Sequence, residues 1–522
     1  TRGTTPTMST KTRQLRRLLG AGAAFAISAA LLTGCMGNAA KTESGGAAAS
    51  GGAATLAMPT EPGNIDPIMM RSLSAWNMYY AVFDGLTRIA SDGSITPGLA
   101  ESWSSDDSKK VWEFKIRNGV KFHDGTDLTV SDIVYTYEKI LASETSTNRV
   151  AIAMIDSVEA VGDDTVKFTL KNPFSAWLNQ VATIGIVPEA DYEKKGAKFA
   201  DAPVGTGPFQ FVAWNHGVDY QVKRFDGYWG DKAKLDTVTF SFVGAADART
   251  TGVESGTLDA ALIPASQVPV LKGASDAQVI DARSNKVALV GVNTTAGALK
   301  NEKLRQALPL AIDRSKIIEQ LLEGYGTPTG QPVAKGVTGH VDGYPTPKFD
   351  PAAAKQLIAE SGYAGEPITF QYASSGGDPT DPDVAQAIAG NLKDVGLNIK
   401  LVGSEQQSLS LTIANHQITG LYLNFWSPSS MDGDVVVSQL LAGGPEDYAR
   451  SPEMAKLYTA QQAAGDKDRD QVFTQIWEWN TEHVSSIPLW EIKNAYASSK
   501  ALKWTPAVDG IYRAAEISRA DG

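Results

Sequence analysis

The sequence predicts an α/β fold with mixed sheets, and three observations carry this prediction. Strand-like runs at 368–372 and 397–402 flank a helical pattern at 383–395, the strand–helix–strand order typical of parallel sheets. Residues 112–117 and 155–170 instead show the two-residue alternation and tight turns of antiparallel strands. The length of 522 residues exceeds what one hydrophobic core normally supports, so we expect more than one domain.

Composition and charge narrow the class of protein. Apolar residues make up 43% of the chain and charged residues 20%, as in an ordinary globular protein. The net charge of −11, with no basic stripe, argues against a nucleic-acid partner. The single cysteine excludes an internal disulfide and a zinc site built on cysteines, and the five histidines form no HExxH pair. We therefore expect no cofactor and no resident metal.

The N-terminal segment has the pattern of an export signal. A positively charged stretch precedes an apolar run over 18–32, which is too short to span a membrane comfortably as a permanent helix. This run ends in a Leu-Thr-Gly-Cys motif at Cys35 that resembles the lipobox of bacterial lipoproteins. We predict a signal peptide over 1–34, lipidation of Cys35 and a flexible tether over 35–55. An ordinary signal peptide or anchor with an incidental cysteine is the alternative.

The most informative stretch runs from residue 99 to residue 141. The alternating run at 112–117 leads into the turn dipeptide Asn118-Gly119, which predicts a short returning strand over 120–123. Thr129 then has the position of a helix N-cap, with an aspartate three residues further on at capping-box distance. The apolar residues that follow recur at steps of three and four, which predicts an amphipathic helix.

This stretch resembles the hallmark block of one large family, the peptide/nickel-type (family 5) solute-binding proteins of bacterial ABC importers. The resemblance is densest at 99–103 and 114–125. It continues in shorter blocks at 205–209, 224–230, 254–259, 287–293, 304–314 and 487–490. It implies a two-lobed, periplasmic-binding-protein-like fold with hinge crossings between the lobes and an extra subdomain inserted in the first lobe. His123, inside the hallmark block, is expected to be structural and not a ligand.

The resemblance also implies domain boundaries and two places where the chain crosses between lobes. The crossings are expected at the strands that contain 287–292 and 487–490. The expected parts are lobe I over 56–88, 200–292 and 488–522, the inserted subdomain over 89–199, and lobe II over 293–487.

The function implied is that of a receptor and not of an enzyme. We find no GxSxG elbow, no nucleophilic cysteine with a histidine and no P-loop, since the GTGP block at 205–208 lacks the following Lys-Ser/Thr. Two hinged lobes are expected to close around a small solute and deliver it to an ABC permease. An oligopeptide or dipeptide is the leading solute, with a nickel chelate, an oligosaccharide or an opine-like molecule as alternatives. An anchored hydrolase and a sensory or chaperone-like module remain as other functions.

The expected setting follows from the same resemblance. The protein is expected to be a monomer outside the cytoplasm, held at the outer face of the cell membrane through lipid on Cys35.

Seven residues are candidates for contact with the solute. Trp426 matches a tryptophan that relatives place against ligand, with core packing as the alternative. In peptide-binding relatives an aspartate shortly after this tryptophan pairs with the α-amino group, and Asp432 or Asp434 could do so here. The usual Asp-Pro context is missing, which puts peptide specificity in doubt. The other candidates lie in the first-lobe segment, after the first helix of the inserted subdomain or beside the crossings: Trp76, Asn148, Asn293 and Trp490.

Overall fold

The computed structural model describes residues 51–69 and 72–520. The predicted signal peptide, the predicted lipidation site Cys35 and most of the predicted tether lie outside these residues. The first strand begins at Ala53, inside the stretch predicted to be tether, because its backbone pairs in parallel with a strand that starts at Thr237.

In the described part of the chain the strands are β1 (Ala53–Met58), β2 (Thr87–Ile89), β3 (Ile95–Pro97), β4 (Ala100–Ser105), β5 (Val111–Ile116), β6 (Ile155–Val161), β7 (Thr165–Leu170), β8 (Phe209–Asn215), β9 (Asp219–Arg224), β10 (Thr237–Phe242), β11 (Ala260–Ile263), β12 (Ala277–Val292), β13 (Gly326–Pro328), β14 (Ile368–Ser375), β15 (Ile399–Glu405), β16 (Leu421–Trp426), β17 (Ser486–Ser499), β18 (Leu502–Lys503) and β19 (Ser518–Arg519).

The α-helices in the same part are α1 (Leu73–Val82), α2 (Val130–Ala142), α3 (Asn148–Ala151), α4 (Trp177–Val181), α5 (Glu189–Lys195), α6 (Ala246–Glu254), α7 (Glu302–Ala311), α8 (Arg314–Leu321), α9 (Pro351–Ser361), α10 (Asp381–Asp394), α11 (Gln406–Ala414), α12 (Asp434–Leu440), α13 (Pro452–Ala463) and α14 (Asp466–His483).

Two long antiparallel strands, β12 and β17, run through both halves of one large sheet. The strand order is β15-β14-β16-β12-β17-β11-β1-β10-β9-β8, with β13 on β17. The later half of β12 pairs with β16 of the second lobe, whereas the later half of β17 pairs with β11 of the first. These two strands are the predicted crossings, and the two-lobed fold is confirmed.

The parallel strands of both lobes point their carboxyl ends at the crossing. In the first lobe β1 is parallel to β10 and β11, and in the second lobe β14 is parallel to β15 and β16. β11 ends opposite Ala495 and β16 ends opposite Val287, so both sheets finish near the middle of the crossing strands. Ligands of open α/β sheets bind outside such carboxyl ends. The topology therefore directs attention to the crossing.

A separate four-stranded sheet, β4-β5-β7-β6, carries the hallmark block. The predicted strand at 112–117 and the predicted hairpin at 155–170 are present as β5, β6 and β7. The predicted capping box is present too, since Thr129 accepts from the backbone of Asp132 and the Asp132 side chain accepts from the backbone of Thr129.

The returning strand predicted over 120–123 is wrong. Both edges of β5 are already occupied, by β4 and β7, so the chain leaves the sheet after the turn. Val120 and Phe122 are buried in the core instead, and this loop makes one isolated bridge between Lys121 and Asp127.

Three large hydrophobic clusters account for most of the described core, and two smaller ones complete it. The first joins Leu56 and Phe240 of the main sheet to Phe114 and Phe168 of the four-stranded sheet, so the inserted residues share the first lobe's core. The second surrounds β14–β16 and packs them against α7, α9 and α10. The third joins Ile89 and Ala182 to Trp477 and its neighbours, which places second-lobe helices directly against the first lobe.

Candidate functional site

The crossing carries an irregular stretch of β12. The register of β12 against β17 shifts between Arg283 and Val287, so the three residues between them lie opposite the single residue Ile492. A bulge of this kind interrupts the hydrogen-bond ladder and re-aims side chains. Ser284 fixes it by donating its Oγ–H to the backbone oxygen of Ile492 at 2.6 Å.

Asn285, the middle residue of this bulge, connects three parts of the chain. Its backbone N–H donates to the carbonyl of Val508 at 2.7 Å. Its side-chain Nδ2 donates to the carbonyl of Pro428 at 3.1 Å, and its Oδ1 accepts from the Ser427 hydroxyl at 2.8 Å. The crossing strand, the loop after β16 and the C-terminal segment therefore meet at one buried amide.

A cavity of about 360 Å³ lies beside the bulge. Its volume is in the range of small-molecule sites. Its walls come from the end of β1, from α1, from the crossing strands and from the C-terminal segment: residues 57–60, Ser74, Asn77, Leu262, Asn285, Lys286, Asn494, Tyr496 and 509–512. The cavity thus lies at the carboxyl ends of the first-lobe strands, where the topology predicts a ligand.

The cavity combines buried aromatic side chains with side-chain amides. Tyr496 and Tyr512 are both almost fully buried and pack edge to face. Asn77 accepts the backbone N–H of Tyr512 at 2.8 Å, and Asn494 adds a second amide to the wall. Apolar surface with a few fixed polar groups is the usual composition of a small-molecule site.

Two charged side chains line this cavity, and they differ in their partners. Asp509 pairs with Arg513 and also accepts the backbone N–H of Ile511 at 3.1 Å. The ammonium of Lys286 has no ion pair or hydrogen bond to the described residues, and its Nζ lies 5.6 Å from the ring centroid of Phe425. Burial lowers the pKa of Lys286. The uncompensated charge of the described cavity wall is therefore positive.

The first-lobe and crossing candidates lie apart from this cavity wall. Trp76 and Trp490 are buried in the first and second hydrophobic clusters. Asn148 is also buried and donates to the carbonyl of Pro67 at 2.6 Å. Asn293 follows the last residue of β12 and donates to the carbonyl of Ile418 at 2.7 Å. Their roles toward a solute stay predictions, although Ser74 and Asn77 beside Trp76 do line the cavity.

Trp426 and its predecessor end β16. Trp426 is half-buried and donates its indole N–H to Glu446 at 2.9 Å. Glu446 also accepts from Tyr422 and Asn424, and its burial raises its pKa. Phe425, on the opposite face of the strand, is 46% exposed and lies against Lys286. Sequence reasoning missed Phe425, which the alternation of Leu421, Leu423 and Phe425 along the strand could have indicated.

Asp432 and Asp434 are both buried and hydrogen-bonded. Asp432 forms an ion pair with Arg469. Asp434 accepts from Gln461 and Gln462, and burial together with the neighbouring Asp432 raises its pKa to about 6. Neither aspartate lines the described cavity, and their predicted contact with a peptide amine stays a prediction.

His123 is structural, as expected. Its backbone N–H donates to the carbonyl of Gly205, its Nδ1 accepts the backbone N–H of Gly205, and its Nε2 lies 2.9 Å from the carbonyl of Gly207. This pattern requires the neutral ring with the proton on Nε2. Burial lowers the pKa of His123 to about 4, so the ring stays neutral at physiological pH.

Residues 51–69 and 72–520 contain no group of three or more His, Cys, Asp or Glu side chains arranged to hold a metal ion. Over the same residues, no helix combines the length and apolar character needed to cross a membrane.

Two lobes joined by two long strands, with a cavity at the crossing, define a solute-binding receptor of the two-lobed periplasmic class. The chain belongs to the bacterial extracellular solute-binding proteins, family 5, whose sequence profile (family 5 Middle) matches residues 94–448. Members of this family are extracytoplasmic receptors and not enzymes. The family predicted from the hallmark block is confirmed.

Individual relatives cover most of the chain. The glutathione-binding protein GsiB of Pectobacterium atrosepticum is 29% identical over 398 residues, which is 74% of this chain and 77% of GsiB. The oligopeptide-binding protein AppA of Bacillus subtilis is 26% identical over 487 residues, 86% of this chain and 89% of AppA. The crystal structure of the ABC transporter substrate-binding protein CtaP from Listeria monocytogenes superposes with a TM-score of 0.81 at 25% identity, covering 90% of this chain and 99% of CtaP.

Proposed function

We propose that this protein is the receptor of an ABC importer and captures a peptide-type solute between its lobes for delivery to the permease. The observation that carries the proposal is the cavity at the crossing, where the carboxyl ends of the first-lobe strands, the bulge of β12 and the C-terminal segment converge. Two relatives, GsiB and AppA, are named for binding glutathione and oligopeptides, respectively. The cavity volume is at the small end for ligand sites, which favours a short peptide.

Direct contacts between the lobes support a mechanism of closure. Asn179 of α4 donates its side-chain N–H to the carbonyl of Ser430 in the second lobe at 2.9 Å. Ser175, just before α4, donates its hydroxyl to the carbonyl of Ala464 after α13 at 2.6 Å. Such bonds hold the lobes together around a solute and exclude water from it.

The same proposal includes the setting of the protein. Lipid on Cys35, followed by the Gly/Ala/Ser-rich tether, would hold a monomeric body at the outer face of the cell membrane, where it meets the permease. Lipidation is tested by mass spectrometry of the protein purified from membranes, which should show diacylglycerol on Cys35 and no residues before it.

A thermal-shift screen of the chain without its predicted signal peptide tests the solute class. The panel contains di- and tripeptides including glutathione, nickel with histidine, oligosaccharides and opine-like amino-acid conjugates. A ligand that binds only the folded form adds about 4 kcal/mol of stability at a thousand times its Kd. We expect the peptides to raise Tm. A rise with sugars, metal chelate or opines alone would overturn the peptide assignment.

Transport and turnover separate the receptor from the other functions. A deletion strain should lose uptake of the peptides that raise Tm, and the peptides should be recovered intact after incubation with the purified protein. Cleaved peptide would support the hydrolase alternative. Loss of a cellular response with unchanged uptake would support the sensory one.

A further inference from the structure

Lys286 lies in a cavity wall, whereas most lysines extend from the protein surface into solvent. It is the last residue of the β12 bulge and is half-buried in the wall of the cavity. Two hydrogen bonds fix the bulge, one from Ser284 to β17 and one from Asn285 to the loop after β16. The lysine is therefore presented by rigid backbone where the two lobes meet.

The ammonium of Lys286 has no ion pair and no hydrogen bond to the described residues, and only Phe425 and the distant Asp378 act on its charge. Removing an ammonium from water is costly unless a counter-charge or hydrogen-bond acceptors replace the water. Asp378 acts on Lys286 at long range and partly offsets the lowering of its pKa by burial, but the two form no ion pair. The cavity's other charged group, Asp509, is neutralised by Arg513. The site therefore offers a cation that lacks an anion.

The contact with Phe425 places the ammonium of Lys286, and not only its aliphatic stem, against an aromatic ring. The ring is 46% exposed and lies 5.6 Å from the ammonium, within the distance of a cation–π contact. One face of the ammonium is thus covered, its N–H donors have no acceptor among the described residues, and the residue itself lines the cavity. Because the chain as a whole carries a net charge of −11, an anion would be held here by a local cation and not by long-range attraction.

We propose that Lys286 binds a carboxylate of the solute, so that this receptor selects solutes with a free carboxylate at the crossing. The proposal rests on the proposed function and adds the group that sets specificity. For a peptide, the carboxylate is the C-terminal one or an acidic side chain in the same position.

Calorimetric titration with trialanine and with trialanine amide tests this assignment. The proteins are the parent, Lys286→Met, Lys286→Arg and a control variant, Lys272→Met, at an exposed lysine outside the cavity. We expect Lys286→Met to raise the Kd for trialanine by about ten- to a hundredfold, the range for a hydrogen bond to a charged group. The amide should bind the parent as weakly as trialanine binds Lys286→Met. Lys286→Arg should retain part of the affinity, and Lys272→Met all of it.

The outcomes separate this inference from the receptor assignment. Equal affinity for trialanine and its amide, or an unchanged Kd in Lys286→Met, overturns the role of Lys286 and leaves the peptide receptor intact. If neither peptide binds the parent, the peptide assignment is in question. Binding of acetate, the simplest carboxylate, then tests the role of Lys286 separately. A saturation-transfer NMR signal from acetate that is present in the parent and lost in folded Lys286→Met supports the proposal. A signal of equal strength in both proteins overturns it.

Discussion

Arg469 holds the carboxylate of Asp432 in a two-pronged ion pair, with Nη1–Oδ2 and Nη2–Oδ1 distances of 2.7 Å each. Asp432 is completely buried and Arg469 nearly so. Arg469 lies in α14 and Asp432 in the loop before α12, so the pair fixes the loop that follows Trp426 to the second lobe's helices. A carboxylate engaged in this way has a structural role whether or not a solute also approaches it.

Replacing Asp432 by alanine should therefore destabilise the protein. Breaking one partner of a buried ion pair leaves the other charge uncompensated, which costs about 3–5 kcal/mol in the free energy of unfolding. Guanidinium denaturation of Asp432→Ala, with the exposed Asp163→Ala as control, measures this loss. A variant of parental stability that no longer binds trialanine would contradict the structural role and favour direct contact between Asp432 and the solute.

The raised pKa of Asp434 leads us to expect that this group stabilises the protein more at low pH than at high pH, which is the reverse of a carboxylate whose pKa is lowered. Its pKa is about 6 in the folded protein, above its ordinary value of 3.8, so the folded state binds a proton that the unfolded chain does not bind in this range. This group adds stability as the pH falls from about 6 to about 4. Asp434→Asn removes that contribution and keeps an acceptor for Gln461 and Gln462.

We expect Asp434→Asn to gain most over the parent above about pH 7 and to lose this advantage toward about pH 4. Unfolding free energies of the two proteins across this range give the difference directly. A constant difference at all pH values would show that Asp434 titrates normally.

The parts of the fold that the sequence predicted depend on local patterns. The capping box at Thr129, the hairpin around Gly162 and the unit from β14 to β15 follow from turn residues and periodicity within a few neighbouring residues. The wrong strand over 120–123 shows the limit of that reasoning, because whether a run pairs depends on edges supplied by β4 and β7.

The candidate site could not be predicted in the same way. Lys286 is placed by the register between β12 and β17, strands about two hundred residues apart in the chain, and no local pattern records a bulge of that kind. No local pattern predicts the partners of Asp432 and Trp426 either. Asp432 pairs with Arg469 and Trp426 with Glu446, and each partner lies outside the element or loop of the residue it contacts. The family resemblance indicated tryptophans and aspartates as contacts for the solute, whereas the polar and aromatic side chains of the cavity wall include amides, tyrosines and one lysine.

Because the pKa of His123 is lowered, we expect this residue to reduce the stability of the protein as the pH falls, and a glutamine variant should lack this effect. Its pKa is about 4 in the folded protein and 6.5 in an ordinary environment. Between these values the unfolded chain binds a proton that the folded protein does not, so falling pH favours unfolding. His123→Gln keeps an N–H for the carbonyl of Gly207 but does not titrate. The stability advantage of the parent over His123→Gln should shrink from about pH 7 to about pH 4, and parallel curves would contradict the neutral histidine.

Asn179 predicts a kinetic effect on solute release. Its side chain joins α4 to the carbonyl of Ser430 across the two lobes and is buried there. Asn179→Ala removes one bond that exists only while the lobes are together, worth about 0.5–1.5 kcal/mol, which corresponds to a roughly two- to tenfold faster dissociation of trialanine. Stopped-flow fluorescence measures this rate, and the association rate should change less.

Ser108→Ala is the matched control for Asn179→Ala, since Ser108 lies on the same inserted segment, is exposed and bonds only locally to Asp106. Its dissociation rate should equal that of the parent. If Asn179→Ala also leaves the rate unchanged while its melting temperature falls, the bond to Ser430 serves the stability of the resting fold. Closure around the solute would then depend on other contacts between the lobes, of which the Ser175–Ala464 bond is the next to remove.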